Sequence, residues 1–261
     1  MALLALTRMT VADGLRQPLT WLATGLALGL VALSYVFGMF NFETQDRVRM
    51  LTTAGVSIAV LNGLFLAVVG ASTAIHDELA SRTALTLFSK PLSRGHYLVG
   101  KALGIWLVVV AATLLVVAAH GLALGTALWT GWEDGGHGHD HGFSDELWVP
   151  WGRLAAAHAL GLAHSAVLTC IAAVLALRLP LIANILACFA LFVLGHLLPG
   201  LGVLGGVVVP ALAAFNVDDS LQLMGQRLDW TYCGAAFIYA FLSCGGWLLI
   251  GTALFSRQDI S

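Results

Sequence analysis

GHYLVGKA, residues 95–102, reads Gly-x-x-x-x-Gly-Lys, the first seven positions of the phosphate-binding P-loop. Taken at face value it places a nucleotide between a buried strand and a helix, in an α/β domain. The motif requires a Ser or Thr next, whose hydroxyl holds Mg²⁺. Here that residue is Ala102, which has no oxygen to offer. Beyond it runs an apolar stretch to residue 129, too long for the helix of a small soluble domain. The segment therefore reads as the start of a membrane span.

The rest of the chain agrees. Of 261 residues, 59% are hydrophobic and 10% charged, against about 45–50% and about 25% in soluble domains. A polar shell cannot cover so apolar a chain, so its solvent is lipid. Runs near the roughly 20 residues a spanning helix requires occur at 18–40, 51–74, 102–129, 153–177, 180–198 and 231–255. A seventh stretch, LGVLGGVVVPALAAF at 201–215, is short, Gly-rich and broken by Pro210, as a re-entrant or interfacial segment is. Residues 1–17 put Leu4, Val11 and Leu15 on one helical face, which predicts an amphipathic helix on the membrane surface. The opening residues carry Arg8, Asp13 and Arg16 and do not read as a cleavable signal peptide. The expected fold is an all-α integral membrane protein with six transmembrane helices. Cys170, Cys188, Cys233 and Cys244 all lie in apolar runs and form no C-x-x-C pair, so they read as small buried hydrophobes.

Six spans place both termini on one side. That side carries eight Lys/Arg and four Asp/Glu, and the other carries four and ten. By the positive-inside rule both termini are cytoplasmic. Trp129, Trp132, Trp148 and Trp151 bracket an acidic outer loop at 130–152, and Trp21 and Trp106 fall near the inner face, as aromatic belts do.

The inner loop HDELASRTALTLFSKPLSRGHYLVGK, residues 76–101, is longer and more basic than its neighbours. Glu78 and Arg82 have the spacing of an i,i+4 ion pair. Leu85, Leu87 and Phe88 form an apolar cluster with no lipid to explain it, which predicts a short helix with a docking patch. Pro91, Arg94 and Gly95 then turn the chain back toward the bilayer.

ELASRT at 78–83, Leu85 and Leu87, SKPLSR at 89–94 and the closing Gly100-Lys101 together resemble the signature of ABC-2-type transporter permeases. There the region reads approximately E-x-x-x-G/R-T-x-x-x-L-x-x-x-P-x-S/T-R and ends in G-K. ALFSRQD at 253–259 and Phe215-Asn216-Val217-x-Asp219 look like that family's closing segments. The resemblance implies a single permease domain over 1–261, with an interfacial helix at 1–17, a cytoplasmic coupling loop at 75–101 and an outer His/acidic loop at 130–152. It implies a homodimer in a bacterial inner membrane, paired with two ABC ATPase subunits, and no binding of nucleic acid. No cofactor is expected in this chain, because ATP and Mg²⁺ would sit on the partner. Asp77, Glu78, Arg82, Thr83, Leu85, Leu87, Phe88, Pro91, Arg94 and Lys101 become the expected ATPase-coupling residues. Glu78 and Arg82 would fix the register of the coupling helix, and Leu85, Leu87 and Phe88 would fill the partner's groove. Pro91 and Arg94 would set the return angle, while Lys101 would snorkel to the headgroups.

GHGHDHG at 136–142 alternates His137, His139 and His141. Imidazoles suit Zn²⁺, Cu²⁺ or Ni²⁺, although a solvated low-complexity loop has the same composition. One branch of the look-alike family serves maturation of the copper centre of nitrous oxide reductase, with a periplasmic partner, and is the specific branch the resemblance favours. Within the spans the polar residues are Asn62, His120, His158, His164, Asn184 and His196. His158 and His164, six apart, do not share a helical face. Two other classes stay open: a membrane scaffold that anchors a partner without transport, and a His-dependent secondary metal transporter. The second would require ionisable ligands within the spans.

Overall fold

The computed structural model describes residues 2–41, 44–80, 93–130, 149, 151–197, 209–217 and 229–256. Among these the chain is all-α. It forms α1 (Ala2–Arg16), α2 (Pro18–Asn41), α3 (Thr44–Ala80), α4 (Arg94–Trp129), α5 (Trp151–Leu175), α6 (Leu181–Leu197) and α7 (Trp230–Ser256), with a 3-10 turn at Leu212–Phe215. Five helices, α2, α3, α4, α5 and α7, are long and apolar enough to cross a membrane. The sixth expected run folds as α6, an apolar helix of 17 residues. At 1.5 Å per residue it is about 26 Å long, just short of the hydrocarbon core of about 30 Å. Of the expected re-entrant stretch only the part from 209 onward is described, and there Pro210 leads into the 3-10 turn.

Helix boundaries follow local chemistry. Pro18 pushes Gln17 out of the helical region and so ends α1 at Arg16. The carbonyls this leaves are met from the start of α2. The Thr20 hydroxyl donates to Gly14 O at 2.9 Å, and the Trp21 indole donates to Leu15 O at 2.7 Å. Ser93 stands in extended conformation before α4 and its hydroxyl accepts the His96 N–H at 3.3 Å, an N-cap. Asp229 plays the same part for α7, accepting from the Thr231 N–H at 2.8 Å and hydroxyl at 2.6 Å. Those bonds hold its carboxyl below the usual carboxylate range.

α3 and α4 run to 37 and 36 residues, about 55 Å each. Both overrun the spans expected at 51–74 and 102–129, α3 at both of its ends and α4 at its start. Residues 75–80 and 94–101 of the loop expected at 75–101 are thereby helical, and 81–92 lie outside the described residues. What lets the helices continue is that Glu78, Tyr97 and Lys101 satisfy one another, as described below.

α5 is the central helix, buried along most of its length against α3, α4, α6 and α7. It is rich in Ala and Gly, which lets neighbouring backbones approach closely. Gly161, for example, leaves so little room that an added methyl would lie 2.9 Å from Val60. Asn184, fully buried at the start of α6, donates to Ser72 Oγ of α3 at 2.9 Å and to Ala172 O of α5 at 3.0 Å. α2 and α7 are peripheral and present Leu22, Phe40, Phe241 and Leu249 outward, as lipid-facing helices do.

α1 packs on α4 through residues other than the stripe expected to face the membrane. Leu6, Thr10 and Gly14 seat against Gly100, Gly104 and Val108, i, i+4, i+8 on both helices. Thr7 adds a hydrogen bond to Gly100 O at 3.3 Å. Leu4 is exposed and Val11 and Leu15 are half-buried. The apolar stripe is therefore the outward face, and the small residues make the contact. Trp106 donates its indole N–H to Leu162 O of α5 at 3.1 Å.

Candidate functional site

The two glycines of the P-loop lookalike lie in the first two turns of α4, where backbone amides turn into helical hydrogen bonds after the first four. Gly100 faces Leu6 of α1, and Gly95 faces Thr252 of α7 at 3.2 Å. Both glycines serve helix packing, and the segment forms no phosphate cradle.

Lys101 is buried, 3% exposed, and its ammonium is ion-paired with Glu78 Oε1 at the far end of α3. The other carboxylate oxygen accepts the Tyr97 hydroxyl at 2.6 Å. This overturns the expectation that Lys101 snorkels. Tyr97 and Lys101 are four apart, so both point from one face of α4 at Glu78. A charge at this depth is stable only when paired and hydrogen-bonded.

The C-terminus of α7 closes the same region. Its last carbonyls have no helical partners and carry the negative end of the helix dipole. Arg94 donates to Phe255 O at 2.5 Å and Arg178, just after α5, donates to Leu254 O at 3.2 Å. The Arg94 guanidinium also lies 5.5 Å from the centre of the Phe255 ring, which tilts against Tyr97 at 6.0 Å. Gly251 permits this approach, since an added methyl would meet Leu98 and Val174 at 2.6 Å.

The result is a clasp where α3 ends and α4 begins. It joins the end of α3, the start of α4, the turn after α5 and the end of α7. Of the expected coupling residues, Glu78, Arg94 and Lys101 come together in it, and Asp77 is exposed beside it. Arg82, Thr83, Leu85, Leu87, Phe88 and Pro91 lie outside the described residues, as do His137, His139 and His141. The sequence reading missed Tyr97, Arg178 and Phe255. For Tyr97 a signal existed, the i,i+4 spacing from Lys101.

A second polar region lies between the helices. His120 Nε2 is 3.1 Å from Leu51 O and His120 Nδ1 is 3.1 Å from His158 Nε2. A carbonyl only accepts, so His120 carries its proton on Nε2 and His158 donates from Nε2. Among the described residues His158 Nδ1 is left as a buried acceptor without a hydrogen-bond partner, and Thr113 Oγ1 and the side-chain oxygen and nitrogen of Asn62 are also buried without one. His164 lies nearly parallel to Phe192 and Phe215 and 5.5 Å from the His196 ring, centre to centre. His158 and His164 thus belong to different pairs, consistent with their lying on different helical faces.

The fold and the clasp define a polytopic α-helical membrane protein whose two longest helices are joined by a buried ion pair. The sequence model of the family described as ABC-2 family transporter protein matches residues 4–260, and the chain belongs to that family. It is a membrane permease subunit of an ABC transporter. Comparison with curated protein sequences finds no match.

Proposed function

We propose that the chain is one half of a dimeric permease, driven by two separate ABC ATPase subunits that engage the 81–93 loop. ATP and Mg²⁺ are held on those subunits, and this chain takes no catalytic part. Both termini face the cytoplasm across a bacterial inner membrane, with the 130–152 loop outside, where a periplasmic partner would meet it. The observation that carries the reading is the clasp. Force on the loop reaches Glu78 of α3 together with Tyr97 and Lys101 of α4, so the two longest helices move as one unit. Arg94 and Arg178 pass the same motion to the end of α7. Coupled rigid elements of this kind convert a local event into a transmembrane change.

The test is affinity purification of the tagged chain from its native membranes, followed by nucleotide titration. An ABC ATPase is expected to co-purify, and ATP is expected to bind the complex but not the separated chain. A chain that purifies alone from gently solubilised membranes points to a scaffold that moves nothing. Saturable micromolar ATP binding by the isolated chain returns the lookalike motif to the nucleotide site.

A further inference from the structure

His164 and His196 share a cleft of about 220 Å³, bounded by Val56, Ser57, Val60 and Leu61 of α3, by α5 around Gly161, and by residues 215–217. His164 is 3% exposed and its Nε2 has no hydrogen-bond partner. A buried imidazole nitrogen left unpaired costs free energy unless something fills its place. His196 Nδ1 lies 2.9 Å from Phe192 O. Because the carbonyl only accepts, Nδ1 carries the proton and Nε2 is left as a lone pair. A backbone carbonyl fixing one ring nitrogen while the other stays basic is the arrangement that orients metal-ligating histidines.

We infer that this cleft is a binding site for an imidazole-preferring transition-metal cation, held between His164 and His196. The donor set decides the class. Among the described residues no carboxylate lines the cleft, a donor set that disfavours hard cations such as Mg²⁺ and Ca²⁺, whereas neutral imidazoles suit Zn²⁺ and copper. Spacing agrees. With metal–nitrogen bonds of about 2.0–2.1 Å the ion stands about 3.2 Å from each ring centre, so two imidazoles at a tetrahedral or trigonal angle have centres about 5.2–5.5 Å apart. The observed separation is 5.5 Å. Phe192 and Phe215, each within about 12° of parallel to His164, restrict how its ring can tilt. Among the described residues the Ser57 and Asn216 side chains are further oxygen donors at the cleft, and water can complete the shell. Two protein nitrogens with exchangeable oxygens make an open site, unlike the four fixed ligands of a structural one. The inference stands on the cleft alone and does not depend on what drives the helices.

The test uses the full chain in detergent with His137, His139 and His141 changed to Ala, so that the outer loop contributes no imidazole. Zn²⁺, and separately Cu⁺ under reductant, is titrated against a chelating indicator. One equivalent of at least one ion is expected to bind saturably. H164F, which keeps the aromatic stack, and H196Q are each expected to lower its affinity at least tenfold. X-ray absorption of the loaded chain with the cleft intact, which requires no cleft variant to fold, is expected to show two imidazole ligands. The inference is overturned by no saturable binding of either ion, by variants that bind as tightly as their parent, or by fewer than two imidazoles at the ion.

Discussion

Leu87→Asp, and separately Phe88→Asp, is expected to abolish transport-coupled ATPase activity while the chain still inserts into the membrane. An apolar side chain seated in a partner's groove contributes its burial, and a hot-spot residue at the centre of a contact is worth about 2 kcal/mol or more. Replacement by a carboxylate removes that and adds the cost of desolvating a charge with no partner, several kcal/mol in a closed groove. Together these amount to a loss of at least about a hundredfold in association, since each 1.4 kcal/mol is a factor of ten. Neither residue lies in a membrane run, so insertion is not at stake. Coupled ATPase measured on the reconstituted complex checks the result. Wild-type coupling in either variant removes the loop from the mechanism.

The second large effect is expected at the clasp. Lys101→Met removes the buried cation paired with Glu78, and Glu78→Gln removes the charge that balances the buried Lys101 ammonium. Removing one partner of a buried ion pair costs about 3–5 kcal/mol. Glu78 keeps 17% of its side chain exposed, which brings the Lys101→Met figure toward the lower end. The double variant, with neither charge present, is expected to recover most of the stability, because apolar or neutral replacement of a whole buried pair is often neutral. Thermal unfolding of the solubilised chain reads this cycle, and coupled ATPase reads its function. If the clasp transmits motion, the double variant regains its melting temperature but stays weakly coupled. Full recovery of both confines the clasp to stability.

The spans were legible because lipid leaves a simple trace, a long run with few charges, and all six expected runs fold as helices. Contacts between the helices were less legible. The α1 stripe of Leu4, Val11 and Leu15 reads as a membrane-facing side and does not say which residues meet α4. That contact falls to Gly100, Gly104, Thr10 and Gly14, whose smallness lets backbones meet. Small residues alone do not predict the partner. The sequence GLALG occurs at 25–29 and again at 121–125, yet its glycines, Gly25, Gly29, Gly121 and Gly125, face open space among the described residues. At the clasp, Tyr97 and Lys101 carry a readable helical spacing, but their partner Glu78 lies 19 and 23 residues earlier across a loop. Similarly, nothing local pairs His120 with His158 or His164 with His196. Those pairings follow from how α4, α5 and α6 cross.

A photo-crosslinking residue placed at Phe88 tests the central claim most directly, in native membranes and without purification. A control crosslinker at Leu122, an outward-facing position on α4, reports adducts made with lipid or by chance. Light-dependent attachment of an ABC ATPase to the Phe88 position, absent from the Leu122 position, is the result expected of a loop that docks its motor. An inserted, stable chain whose Phe88 position captures no ATPase, or captures it no better than Leu122, contradicts the account.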